Sequence, residues 1–171
     1  MMPCDSEESA AMTVLHFRKA LDSREKAGDI AGITVRTIEL PGDVPAWLEL
    51  RRRAVAWLKP AVRAWTVDDF LAEMSGKTWW REEWTWLAMG QAEQILGSVT
   101  LAVREGAAGE VPVVHWLLVD PRWRRLGIGR VLLLRLEQAA WDAGWRELQL
   151  ETHANWKEAV AFYQSMGFEP A

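Results

Sequence analysis

The chain has 171 residues, 50% hydrophobic and 26% charged, with a formal net charge of −4. That is the balance of a soluble globular chain of one-domain size. It excludes a membrane span, since no apolar run approaches the roughly 18 residues one needs, and it argues against nonspecific nucleic-acid binding. The lone cysteine, Cys4, cannot close an internal disulfide. The N-terminus, with Asp5, Glu7 and Glu8, lacks the basic and apolar regions of a secretory signal, so a reducing cytoplasm is expected.

In chain order, Val14, Phe17, Arg18 and Leu21 stand at helical spacing. They predict an amphipathic helix from near Ser6 or Ser9 within an N-terminal extension of residues 1–31, either an accessory element or a contact for a homodimer. Ile33 to Leu40 alternates as a strand and Pro41-Gly42-Asp43 turns it. A helix follows from Val44 to Trp57, carrying Arg51, Arg52 and Arg53. Thr66 with Asp69 has the form of a capping box opening a second helix that ends near Gly76. Glu83 to Ala88 reads as a strand in a tryptophan-rich segment, Gln94 to Val103 as another in which Gly97 marks a bulge, and residues 105–110 as a hairpin.

The stretch from Val113 to Gly144 carries the strongest pattern. Val113 to Val119 is apolar except for His115, as a strand buried on both faces would be. Asp120-Pro121 stops it. Leu132, Leu136, Ala139, Ala140 and Ala143 give the following helix one apolar face, with Gly144 at its C-terminal cap. Between strand and helix lies Arg124-Arg125-Leu126-Gly127-Ile128-Gly129. Its glycines let a ligand approach the backbone, and its N–H groups point from the positive end of a helix dipole, a phosphate-binding arrangement. Arg122, Arg124, Arg125 and Arg130 surround it. The alternative is a turn whose glycines serve close packing and whose arginines are solvated. Leu148 to Thr152 reads as a further strand, and Asn155 to Glu158 as a capping box for a last helix ending at Gly167.

Val119-Asp120-Pro121-x-x-Arg124-x-x-Gly127-x-Gly129, followed downstream by Ala159-x-x-Phe162-Tyr163-x-x-x-Gly167-Phe168, resembles the two motifs of the GCN5-related N-acetyltransferases (GNAT), in their order. The resemblance covers residues 95–168 well, 33–94 weakly, and nothing before. It implies an α/β (α+β) fold over residues 32–171: a mixed, mostly antiparallel twisted sheet with helices on both faces. The family's last strand, after Gly167-Phe168, would here be missing or shortened. That leaves a sheet edge that is open or covered by a strand or loop of the same or another chain.

The resemblance further implies acetyl-coenzyme A as cosubstrate, no metal, and direct attack by a primary amine, on a small molecule or a peptide N-terminus. Residues 124–130 (Arg124, Arg125, Leu126, Gly127, Ile128, Gly129, Arg130) would hold the pyrophosphate. Leu117, Leu118 and Val119 would offer backbone to the pantetheine arm. Where the family often carries a pantetheine-binding asparagine this chain has Trp156, with Asn155 adjacent as a candidate. Tyr163, the only tyrosine, occupies the general-acid position. A phenol of pKa about 10 protonating a thiolate of about 8.5 is uphill by roughly 2 kcal/mol in water, so a hydrogen bond to the leaving sulfur is favoured over early donation. Keeping an amine of pKa about 10.4 neutral at pH 7 costs about 4 to 5 kcal/mol, so a base or water chain is needed. Glu151 is the first candidate and His115 the second, with Glu82 and Glu83 behind them. Trp79, Trp80, Trp84 and Trp86 would form an aromatic wall for a cationic acceptor, or else plain core. A non-catalytic coenzyme A-binding module is the rival reading.

Overall fold

In the computed structural model, which describes residues 13–59 and 61–171, seven strands form one sheet. They are β1 (Val14–Ala20), β2 (Thr34–Thr37), β3 (Thr85–Met89), β4 (Ile95–Gly106), β5 (Gly109–Val119), β6 (Glu147–His153) and β7 (Glu169–Pro170), in the order β2-β3-β4-β5-β6-β1-β7. Every pairing is antiparallel except β5 with β6. The helices are α1 (Val44–Val55), α2 (Val67–Phe70, continued by a π-helical turn over Leu71–Ser75), α3 (Ile128–Asp142) and α4 (Lys157–Ser165). The Thr66–Asp69 capping box forms as expected. Gly144, at φ +97, follows the end of α3 in the left-handed conformation a C-terminal glycine permits.

The N-terminal helix expectation is corrected: Val14–Ala20 is a strand, and the part of that helix on residues 6–12 lies outside the described residues. The physical reason is a period of two. Leu15, Phe17 and Lys19 turn inward while Val14, His16 and Arg18 turn out, leaving Val14 44% exposed. Lys19 can face inward because its stem lies beside Gly167 and its ammonium, 5.8 Å from the Phe168 ring, meets Glu137 of α3 at 2.7 Å. The free edge of β6 then decides the matter, since β1 pairs along its whole length with Glu147 to His153. The shortened last strand is present as the two residues of β7, which pair with Phe17 and Arg18. A strand of the same chain thus covers the exposed edge of β6.

The sheet carries a core on each face. Leu132, Leu133 and Leu136 of α3 pack with Leu96, Leu101, Leu148 and Leu150. On the opposite face Trp47 and Leu50 of α1 pack with Phe70, Met74, Leu87 and Leu118. Gly97 lies where β4 meets α3: a Cβ there would stand 2.9 Å from Ile128 and 3.0 Å from the Leu118 carbonyl. The register with β3 slips beside it, as a bulge expectation requires. A second slip matters more for function. Ser98 pairs with Leu118 but Thr100 pairs with His115, so β5 carries one extra residue, and there Trp116 takes φ +47. On its other side β5 is registered with β6 only at Val113 and Gln149. Residues 115–119 are left unpaired on that side.

Candidate active site

A cavity of about 820 Å³ lies at the opening between β5 and β6. Its walls come from the far half of β5, the end of β6, the turn before α3, and one side of α4. The turn is set up by local chemistry. Asp120 is fully buried at the end of β5; it accepts the Arg122 N–H at 3.0 Å, the Arg122 guanidinium at 2.9 Å, and Arg53 Nε of α1 at 2.9 Å. These cations hold its carboxyl down at about 2, with Arg122 the largest influence. Asp120 therefore ties α1 to the turn. Arg122, expected among the cations around the loop, is committed to this pair instead.

Beyond it, Arg125 (φ +62) and Gly127 (φ +86) both adopt left-handed backbone. Gly127 caps α3 with no side chain to bond the helix N–H groups, and the first turn holds no acidic residue. Val131 is the first residue of α3 whose N–H finds a helical acceptor, the Gly127 carbonyl at 3.0 Å. Among the described residues no acceptor takes the N–H of residues 125–130. Most helix starts satisfy such groups with a capping side chain; here they face the cavity rim unused. Gly129 lies beside Phe162 of α4 and Val119 of β5, at 3.4 and 3.6 Å from where a Cβ would stand. The residues present fit a diphosphate ligand on this count.

Of the residues the sequence singled out, Leu117, Leu118 and Val119 line the cavity, as do Arg124, Arg125, Gly127, Ile128, Gly129 and Arg130. Arg124 spans the mouth: it donates to the Ala54 carbonyl at 3.2 Å, lies 5.2 Å from the Trp57 ring, and reaches Glu158 of α4 at 3.8 Å. Arg130 points toward Met166. Leu126 is 52% exposed and outside the lining. Asn155 is exposed, does not line the cavity and caps nothing; Trp156 is the N-cap of α4, with no side-chain cap bond. The capping-box expectation fails there because α4 starts one residue later, at Lys157, so Glu158 stands at the second helical position and not the third.

Tyr163, Glu151 and His115 meet the same cavity from three elements. Burial pushes the Tyr163 phenol well above its usual value, and it stays protonated across the physiological range. His115 is pressed edge-on against Trp79 at 4.6 Å. Burial, reinforced by the charge of Arg104, lowers its imidazole to about 4. Glu151 is half-exposed, 3.9 Å from Arg104 and 3.7 Å from His16 on β1. Glu82 accepts the Leu40 N–H at 3.0 Å, away from the cavity, and Glu83 does not line it.

The aromatic wall is also corrected. Trp86 is buried, Trp84 packs on Trp145 at 5.5 Å, Trp80 on Phe70 at 6.4 Å, and none of these, nor Trp79, lines the cavity. The lining tryptophans among the described residues are Trp57, Trp116, Trp123 and Trp156. They come from four separate segments, so no local sequence signal marks them. Asp120 and Arg53 were likewise missed as a pair, since an Asp before a proline reads simply as a strand stop.

Comparison with known proteins bears on this geometry. A model of the family described as "Acetyltransferase (GNAT) family" matches residues 46–168. A mycothiol acetyltransferase of Thermomonospora curvata is 34% identical over 137 residues, covering 80% of this chain and 44% of that protein. An aminoglycoside N(6')-acetyltransferase type 1 of Stenotrophomonas maltophilia is 27% identical over 135 residues, 75% of this chain and 82% of that protein. The chain thus spans about half the length of the mycothiol acetyltransferases it matches. Among solved structures, a GCN5-related N-acetyltransferase from Sphaerobacter thermophilus superposes with TM-score 0.72 at 22% identity, over 92% of this chain and 48% of that one. The ribosomal-protein-S18-alanine N-acetyltransferase of Escherichia coli gives 0.61 at 23%, over 81% and 79%. Both share the fold.

Proposed function

The chain belongs to the GNAT acetyltransferase family, and from that premise we propose that it transfers an acetyl group from acetyl-coenzyme A to a primary amine by direct attack. The observation that carries the proposal is the run of unused N–H groups over residues 125–130, opening onto a cavity that ends at Tyr163. Bound acetyl-coenzyme A supplies an activated thioester. The chain's own part is to hold and to orient. The 125–130 amides and Arg124 bind the diphosphate, with the positive end of α3 behind them. The unpaired backbone of residues 117–119 takes the pantetheine arm as an added strand would be taken, and an N–H of the same strand polarises the carbonyl.

Tyr163 donates a hydrogen bond to the leaving sulfur. Its raised value makes it a weaker acid than free phenol, so proton transfer completes only as the sulfur departs. Glu151 receives the amine proton. It touches both the cavity and solvent, so the proton can leave through water. His115 is the weaker candidate, because charging it means charging a buried ring beside Arg104. The acceptor is a small-molecule amine: the two curated relatives described above are named for small molecules, and Trp57 and Trp116 offer apolar and cation–π contact.

Thermal melting with acetyl-coenzyme A, joined to thiol release against an amine panel, tests this. A ligand at about a hundred times its Kd adds about 2.7 kcal/mol of stability. Tyr163→Phe should keep that shift while turnover falls about 100-fold. A melting temperature indifferent to the cosubstrate would end the proposal. A retained shift with no turnover from the wild type would leave a non-catalytic binding module.

A further inference from the structure

Arg51 of α1 is 2% exposed, and among the described residues no carboxylate pairs with it. Its Nη1 donates to the Arg63 carbonyl at 3.0 Å, while its Nε has no partner. Its guanidinium sits in the corner made by two tryptophan rings, 4.1 Å from Trp65 and 4.8 Å from Trp116, which meet each other edge-on at 5.4 Å. Burial brings the guanidinium down to about 10, so it remains charged at neutral pH. Asp69 attracts it from a distance but is itself bonded to Arg63. A buried cation without a direct ion pair is a poor way to stabilise a fold; an apolar side chain of similar volume generally does as well or better. What the charge and plane do hold is Trp116. That residue carries the extra position of β5 at φ +47, a conformation uncommon and strained for a residue with a Cβ, and it lines the cavity.

We infer that Arg51 is a positioning residue for acetyl transfer: seated in the corner of Trp65 and Trp116, it fixes the bulge of β5 so that residues 117–119 present their backbone to the thioester, and it sets a positive charge behind the strand. The inference rests on the transferase reading above. A fixed cation on that side favours the negative charge that develops on the carbonyl oxygen, and being buried it is itself little screened by water. The diphosphate turn, on the other wall, does not depend on it.

The test compares Arg51→Met, which keeps the volume and removes the charge, with Arg51→Lys, which keeps the charge and loses the plane. Melting temperature, coenzyme A affinity by calorimetry, and kcat and KM by thiol release are measured on the full chain. Arg51→Met should melt at or above the wild-type temperature and bind coenzyme A within about twofold, yet lose about tenfold or more in kcat with KM for acetyl-coenzyme A little changed. Arg51→Lys should recover part of that kcat. Unchanged kcat in Arg51→Met overturns the inference. So does a kcat loss that accompanies a fall in melting temperature and is not relieved by lysine, for then Arg51 is only a strut. If Arg51→Met does not fold, Arg51→Lys decides: the inference requires a kcat loss at unchanged KM. A wild type that releases no thiol with any amine sinks the transferase reading and this role together; an active wild type matched by Arg51→Met sinks this role alone.

Discussion

The two walls of the cavity are built on opposite plans. On the α3 side the groups offered to the cavity are backbone amides, exposed by two left-handed residues and a helix start without a cap. On the α1 side they are side chains: tryptophans, with an arginine in the corner of two rings behind them, and the half-exposed Glu151 and partly buried His115 beyond. The contrast separates two ways of making a site. Backbone geometry is specified by a few neighbouring residues and tolerates almost any side chain around it. A side-chain wall is specified by contacts between segments distant in sequence, and any one change can rebuild it.

The two plans respond differently to mutation. The largest effect belongs to the side-chain wall: Glu151→Gln should lower kcat about 100-fold while coenzyme A affinity stays put, whereas His115→Gln should not. A reversal of that order in steady-state kinetics would move the proton acceptor to His115. Next comes the backbone wall. Gly127→Val forces a β-branched residue to φ +86, where space is open but the conformation is not. The strain, roughly 2 kcal/mol, should distort the turn and weaken coenzyme A binding about 30-fold by calorimetry. Unaltered affinity would show that the turn is not what grips the diphosphate.

The smallest effect falls on the tie between the walls. Asp120 is held at about 2, below the ordinary carboxylate value of 3.8. Its charged pairs with Arg122 and Arg53 therefore contribute stability that is present in full above about pH 4 and lost as pH falls through about 2. Discounted for the exposure of Arg122, Asp120→Asn should cost about 1 to 2 kcal/mol at neutral pH in denaturant unfolding, and the difference from wild type should shrink toward pH 2. A constant difference down to that pH would refute the ion-pair account.

The same contrast explains what could be read from the chain alone. The 124–129 turn, α3, its terminal Gly144 and the Thr66–Asp69 cap were legible because each is encoded within a few residues. That Tyr163 would stand on the cavity wall was legible by its place in a motif. The tryptophans of the cavity were not: Trp57, Trp116, Trp123 and Trp156 meet only once the sheet exists, and the conspicuous cluster at Trp79 to Trp86 went to packing instead. The Asn155 cap fitted its pattern and still failed, because the helix starts one residue later and takes Trp156 as its N-cap. Val14 to Leu21 was misread because eight residues with one amphipathic lysine satisfy either period. Only the vacant side of β6 chose between them.

That first strand has a consequence for how the protein comes into being. Phe17 sits opposite Leu150 on one side and Pro170 on the other, so the earliest described strand to leave the ribosome finds its neighbours only among the latest. Until then it travels as an unpaired ribbon while the rest of the sheet assembles without it, and its docking is a long-range, late-closing event of the kind that slows folding and invites chaperone attention.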